Sequence, residues 1–457
     1  MCGIAIAIGI DQREVARAMC SKMGHRGLRT GETHSYNNFI HICHTRLPIQ
    51  GTSEEFDHPY ITSSADGFLV GEIFNFKKLD PEAKTDLSVM VDFYNCHGPK
   101  AFEMFDGFWS AVIVDKQYGF LNIFLDDLGK KPLYMRTVGD CHYIASEIKA
   151  LILPGILPPL TFDEVYFGAV YKFGYCIENR TPFKEIAKIP ANTRFRVSIN
   201  PPLKYDYSRM HSSYKRSPLF LRESLEEAVL NRLVSDVPIS LLVSGGLDSS
   251  IIYKLVEKQT HDFTLFHVDN EEEEFLNFLN IPSDVKVKKL ELPPQTEIPE
   301  ILFWNETPVD LGSVLPQYAL AKAIKKEGLH VALSGDGADE LFGGYRRAVE
   351  YDTQESDIYH ELVFYHLPRL DKLMMSQTIE LRSPFLSRKV LQCALGVPWE
   401  KRSTKEFLKE TFSDIIPQEI LVRRKVPLKI KGLQGDPMKW RKMLISEFRG
   451  IHKNNIN

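Results

Sequence analysis

Ser244-Gly245-Gly246-Leu247-Asp248-Ser249-Ser250 is a run whose residue types can hold a polyphosphate. It follows the apolar stretch Ile239, Leu241, Leu242, Val243 and precedes a helical pattern from about Ser249 to Glu257. Two glycines let the backbone approach an anion closely. Serine hydroxyls and a helix N-terminus donate to it. Asp248 is placed to ligate magnesium, directly or through water, and so offset phosphate charge. The run lacks the Gly-Lys-Ser/Thr ending of a Walker loop and the GxGxxG of dinucleotide folds.

Cys2 offers a second chemistry. An initiator methionine before a small residue is normally removed, which would make Cys2 the mature N-terminus. A free α-amino group titrates near roughly 7.7–8.0. It can take the thiol proton, directly or through one water, and serve as the nucleophile's own base. Position two alone proves little; its context decides.

The elements around these residues fall into two halves. In the first, Ile4 to Ile10, Phe39 to Ile42, Phe68 to Val70, Phe108 to Val114, Tyr118 to Phe124 and His142 to Ala145 read as short strands. Arg13 to Met23 and Leu87 to Cys96 read as helices, which together suggest α+β layers. Near 195–215 the chain turns polar, with two prolines and no period. Beyond it, Leu221, Leu225, Val229 and Leu233 recur at helical spacing. Strands at 239–243, 263–268, 285–292 and 329–333 then alternate with helices at 249–257 and 315–326, the pattern of a parallel sheet.

Met1-Cys2-Gly3-Ile4, the GHRG at 24–27, HTRLPI at 44–49, GEIFN at 71–75, Thr85-Asp86 and DGFWSAVIVD at 106–115 resemble, in order and spacing, the class II glutamine amidotransferase domain, an N-terminal-nucleophile (Ntn) hydrolase. The resemblance implies that Cys2 is the nucleophile. It implies that Arg46 pairs with the glutamine α-carboxylate, and that Glu72 and Asp86 accept from the substrate nitrogen. Gly71 would donate its backbone N–H to the tetrahedral oxyanion. His25 and His44 are given no catalytic role. One position departs. The family motif is Asn-Gly-Glu-Ile-Tyr-Asn, and its first asparagine donates to the oxyanion; here Val70 stands there. Losing one such donor typically costs about 10²–10³ in rate.

The heptad resembles that of ATP pyrophosphatases of the adenylating kind. The later stretch Ser334-Gly335-Asp336-Gly337-Ala338-Asp339-Glu340-Leu341-Phe342-Gly343-Gly344-Tyr345 is similar to that of the glutamine-hydrolysing asparagine synthetases, which the whole chain resembles. By that resemblance Asp339 completes a magnesium site with Asp248, and Asp336 assists formation of the aspartyl-adenylate. Val243, Ser244, Gly245, Gly246, Ser249, Val268, Ser334 and Gly335 contact ATP. Glu380-Leu381-Arg382-Ser383-Pro384-Phe385-Leu386 fits the family's E-x-R-x-P-F-L, and Lys425 in Arg423-Arg424-Lys425 falls where the family carries an essential lysine. A lysine there can neutralise departing pyrophosphate.

The expected organisation is an Ntn-hydrolase domain at 2–195, a linker at 196–215 and an α/β parallel-sheet ATP-pyrophosphatase domain at 216–457. With 457 residues there is room for both. A net charge of -4 argues against nucleic-acid or anionic-membrane partners. No stretch approaches the roughly 20 apolar residues of a spanning helix. Seven scattered cysteines without a CxxC pair fit a reducing, cytoplasmic setting. The expected substrates are glutamine, aspartate and ATP with Mg2+, and a homodimer is possible on family grounds. Three readings stay open beside this one: an amidotransferase for another carboxylate or a sugar, an ammonia-dependent ligase with an impaired glutaminase, and a non-catalytic descendant.

Overall fold

The computed structural model describes residues 2–176, 178–200, 204–210, 220–268, 273–308, 311–343, 360–423 and 437–456. The first half contains β1 (Gly3–Ile8), β2 (Arg29–Thr30), β3 (His34–Tyr36), β4 (Ile40–Arg46), β5 (Tyr60–Ile61), β6 (Ala65–Ile73) and β7 (Gly107–Asp115). It continues with β8 (Phe120–Leu125), β9 (Tyr134–Val138), β10 (Cys141–Ala145), β11 (Ile186–Lys188), β12 (Thr193–Ser198) and β13 (Tyr205–Arg209). They form two antiparallel sheets. One runs β11-β9-β10-β1-β4-β2 with β3 also on β4, and the other runs β13-β12-β8-β7-β6-β5.

Side-chain alternation explains how these sheets stack. Ile4, Ile6 and Ile8 of β1 share one buried cluster with Phe68, Val70, Val112, Val114 and Ile123 of the other sheet. The intervening Ala5 and Ala7 face the opposite way, where their small size admits Ala16, Met19 and Cys20 of the helix Arg13–Ser21. On the far side, Leu69, Trp109, Ala111 and Ile113 pack under Val89, Met90 and Val91 of the helix Asp86–His97. The result is helix, sheet, sheet, helix, the α+β layering of an Ntn hydrolase.

Part of 196–215, read from sequence as linker, has a different structure. Tyr205–Arg209 pairs antiparallel with β12, Thr193 opposite Arg209 and Val197 opposite Tyr205. Tyr205 and Tyr207 stand on an exposed edge strand, so no apolar alternation marks it.

The second half carries β14 (Ile239–Leu242), β15 (Phe263–Val268), β16 (Lys286–Leu290), β17 (Val331–Leu333) and β18 (Glu380–Arg382), all parallel, in the order β16-β15-β14-β17-β18. The chain leaves β14 toward β15 and later returns to its other side at β17. The carboxyl ends of β14 and β17 therefore flank a topological switch point, where open α/β sheets bind ligands. Among the described residues no helix is long and apolar enough to cross a membrane.

The halves are not loosely tethered. Leu47, Ile49, Phe74, Phe108 and Leu128 of the first belong to the same buried cluster as Leu225, Val243 and Leu386 of the second. Arg26, fully buried, reaches Glu147 at 2.9 Å in its own half and Asp371 at 3.0 Å in the other. Lys131 also pairs with Asp371, at 3.1 Å.

Candidate active sites

Cys2 sits at the head of β1, nearly buried, with its carbonyl accepting from Arg26 Nε at 3.1 Å. Burial pushes its thiol above the ordinary range, and the Leu47 N–H and the Arg46 charge partly offset this. β6 supplies the wall beside it. Gly71 adopts φ +106°, and a Cβ there would lie 1.8 Å from the Phe108 carbonyl oxygen, so no other residue fits.

Glu72 and Asp86 are both buried. Asp86 opens the helix Asp86–His97, capped by Thr85, and accepts from the Ile73 N–H at 2.8 Å. Burial raises its carboxyl to about 6 against the pull of that bond. Burial, then Asp86 and Glu380, hold Glu72 well above the ordinary carboxylate range, and among the described residues its Oε2 has no hydrogen-bond partner. A buried, unsatisfied carboxyl beside the nucleophile is a ready partner for a substrate ammonium. Arg46 is engaged: Nη1 bonds Asp57 at 2.6 Å, and Nη2 bonds the carbonyls of Gln50 at 2.8 Å and Gly51 at 2.6 Å. A substrate carboxylate at Arg46 has to exchange with Asp57.

Sequence reasoning missed His58. Its Nδ1 accepts the Leu69 N–H at 3.1 Å, while His44 donates from Nε2 to the Leu69 carbonyl at 3.0 Å. The two rings stack at 4.0 Å. They take up the edge of β6 where β5 has ended, since Pro59 has no N–H to continue a ladder.

At the second site, Ser244-Gly245-Gly246 make the turn between β14 and the helix Leu247–Glu257, whose first turn carries Asp248, Ser249 and Ser250. Ser249 Oγ bonds the Gly246 carbonyl at 3.1 Å and accepts the Ser244 N–H at 3.1 Å, and Gly246 donates to Ser244 Oγ at 3.2 Å. These bonds fix the loop. A Cβ on Gly335 would come within 2.9 Å of Ser249 N, so the turn after β17 packs directly on the heptad. Ser334 donates to Asp336 Oδ2 at 2.6 Å and to the Arg382 carbonyl of β18 at 3.0 Å from its backbone. Val243 and Val268, both buried, close the strand ends.

Asp248 and Asp339 do converge, on a residue the sequence did not flag. Lys405 Nζ bonds both oxygens of Asp248, at 2.7 and 2.5 Å, and Asp339 Oδ1 at 2.5 Å. Its backbone is held at φ 63°, with its N–H on the Phe342 carbonyl at 3.1 Å. A non-glycine residue in that region marks local strain. Arg423 reaches the loop too, donating from Nη1 to the Gly245 carbonyl at 2.8 Å. Lys425 lies outside the described residues.

Two family models cover the chain: a glutamine amidotransferase domain over residues 1–207, and asparagine synthase over 220–360 and 353–447. The chain belongs to the asparagine synthetase family. Curated relatives of this asparagine synthetase family member run nearly its full length. A probable glutamine-hydrolysing asparagine synthetase of Schizosaccharomyces pombe is 28% identical, covering 93% of this chain and 84% of the relative. Glutamine-hydrolysing asparagine synthetase 2 of Oryza sativa is 26% identical, covering 93% and 76%, and synthetase 3 of Arabidopsis thaliana is 26% identical, covering 93% and 78%.

Proposed function

We propose that the chain makes asparagine from aspartate, with ammonia drawn from glutamine and ATP as the activating substrate. In the first half, Cys2, freed of Met1, attacks the glutamine side-chain carbonyl, its α-amino group taking the thiol proton. Glu72 and Asp86 receive the substrate ammonium, Arg46 its carboxylate, and the Gly71 N–H the oxyanion. Ammonia leaves with a proton, and water resolves the thioester to glutamate. In the second half, the aspartate side-chain carboxylate attacks the α-phosphorus of ATP, and pyrophosphate departs. Ammonia then displaces AMP from the acyl-adenylate. The loop at 244–250 and Ser334-Gly335 would hold the phosphates, and Asp336 would assist adenylate formation. Lys425 is assigned to the departing pyrophosphate.

A divalent ion suits the second site. Two carboxylates, Asp248 and Asp339, already converge on one cation, the Lys405 ammonium, and hard oxygen donors of this kind suit Mg2+. Bound there, Mg2+ would screen phosphate charge. A synthetase domain at 216–457 and a cytoplasmic setting go with this reading, with the amidotransferase domain drawn past 195 to take in β12 and β13. All seven cysteines are free, which supports a reducing compartment. A homodimer is carried by family resemblance alone.

The observation that carries the coupling of the two reactions is the position of β18. Glu380 at one end acts electrostatically on Glu72 and Asp86, and the Arg382 carbonyl at the other holds Ser334. This supports a link between the two candidate sites through β18. The test supplies ATP, magnesium and aspartate with either glutamine or ammonium, and measures asparagine and pyrophosphate. Asparagine from both donors is expected, and Cys2→Ala should abolish only the glutamine-dependent part. Folded protein giving no aspartate-dependent pyrophosphate with either donor would sink the reading.

A further inference from the structure

We propose that the imidazole of His58 supplies the oxyanion hydrogen bond that Val70 cannot give. The inference rests on the glutamine-hydrolysing reading of Cys2. It starts from a missing donor: Val70 is buried in the cluster that also holds Cys2, so its apolar side chain occupies the wall where a donor is needed. One ring nitrogen each from His44 and His58 and the Sγ of Cys2 lie within 4.8 Å of one another. A carbonyl carbon bonded to that sulfur lies beside both rings, within reach of a donor on either.

Hydrogen bonding then separates the two histidines. His44 gives its Nε2–H to the Leu69 carbonyl, so its other nitrogen bears a lone pair and can only accept. His58 is the reverse. The Leu69 N–H points into its Nδ1, so the proton of the neutral ring sits on Nε2. Among the described residues that N–H has no protein partner. Burial, then the neighbouring His44 and Arg46, hold His58 well below its ordinary range. That direction favours the neutral ring, which can donate to a developing negative charge.

The same bonding argues against a metal at this trio. A metal needs a ring lone pair, and on His58 the Leu69 N–H already takes it. The ring stacking is also parallel, at 9°, rather than convergent on one point.

The test compares His58→Leu, His58→Gln and His58→Leu with Val70→Asn. Each is assayed for glutaminase kcat and KM and for ammonium-dependent asparagine synthesis. His58→Leu should lower glutaminase kcat about 10²–10³-fold, with the glutamine KM little changed and ammonium-dependent synthesis intact. His58→Gln, which keeps an N–H donor, should hold most of the rate. Adding Val70→Asn to His58→Leu should recover at least about tenfold, because it restores the donor from the other wall; lost support of Leu69 would not be cured that way. A His58→Leu enzyme with wild-type kcat overturns the assignment, as does failure of Val70→Asn to rescue a variant that still makes asparagine from ammonium. Wild-type protein without any glutaminase overturns the glutamine-hydrolysing reading along with it.

Discussion

Lys405 Nζ lies 2.5 Å from Asp339 Oδ1, and the same ammonium grips both oxygens of Asp248. Burial works against the charged lysine, but the two aspartates win and hold its pKa above the ordinary range. Replacing it with methionine removes a cation that the two carboxylates share. The aspartates are half-buried, so breaking the pair costs less than the about 3 kcal/mol of a fully buried one. Lys405→Met should therefore melt earlier than the parent in metal-free buffer and regain more stability than the parent on adding magnesium. Thermal melts with and without magnesium decide it. Equal magnesium responses in the two proteins would mean that Lys405 does not share the site with a divalent ion.

Asp86 contributes the lower part of the glutaminase's acid limb. Its folded value of about 6 lies above the ordinary value of about 3.9. Ionised Asp86 therefore costs stability, and the benefit of its protonated form, full at low pH, is lost as pH rises through about 6. Binding has the opposite sense, because a substrate ammonium needs the carboxylate. Below about pH 6, protonating Asp86 should lower kcat/KM for glutamine by about a further tenfold per unit, beyond the loss from protonating Glu72 and the Cys2 α-amino group. Asp86→Asn should depress kcat/KM and remove that further fall. A profile flat between pH 5 and 7 in the parent would show that Asp86 does not titrate in this step.

What could be read in the sequence was what local spacing encodes. The apolar run 239–243 followed by glycines and Asp248 fixes a strand, a turn and a helix without reference to anything distant, and the turn is there. Cys2 and Gly71 were legible through ordered motifs. Lys405 was not, because its meaning lies in a bond to a residue 157 positions away. His58 reads as a polar residue before proline, and its role comes only from where β5 stops beside Leu69. Tyr205–Arg209 was hidden because every residue of that edge strand is exposed.

Gly71 carries both a backbone requirement and an oxyanion donor. At φ +106°, with the Phe108 carbonyl oxygen 1.8 Å from any added Cβ, alanine cannot be accommodated without moving β6 away from β7. The dihedral alone costs about 1–3 kcal/mol, and the clash adds to it. Gly71→Ala should lower the melting temperature and reduce glutaminase at least about 10²-fold. Wild-type melting with wild-type glutaminase would refute the strained geometry.

Arg26 joins the halves. Both its ion-pair partners are buried, Glu147 in the first half and Asp371 in the second, and each has a further cation, Lys149 at 2.6 Å and Lys131 at 3.1 Å. Those neighbours soften the loss but do not remove it, because among the described residues Arg26 is the one side chain that bonds both carboxylates across the interface. Arg26→Met should destabilise by about 3 kcal/mol, the lower end for breaking a buried pair. The Cys2 carbonyl also loses its Arg26 Nε partner, so glutaminase should fall more than ammonium-dependent synthesis. Denaturant unfolding and the two assays measured side by side test this. Equal loss in both activities would place the role of Arg26 in overall folding, not in holding the nucleophile strand against the second half.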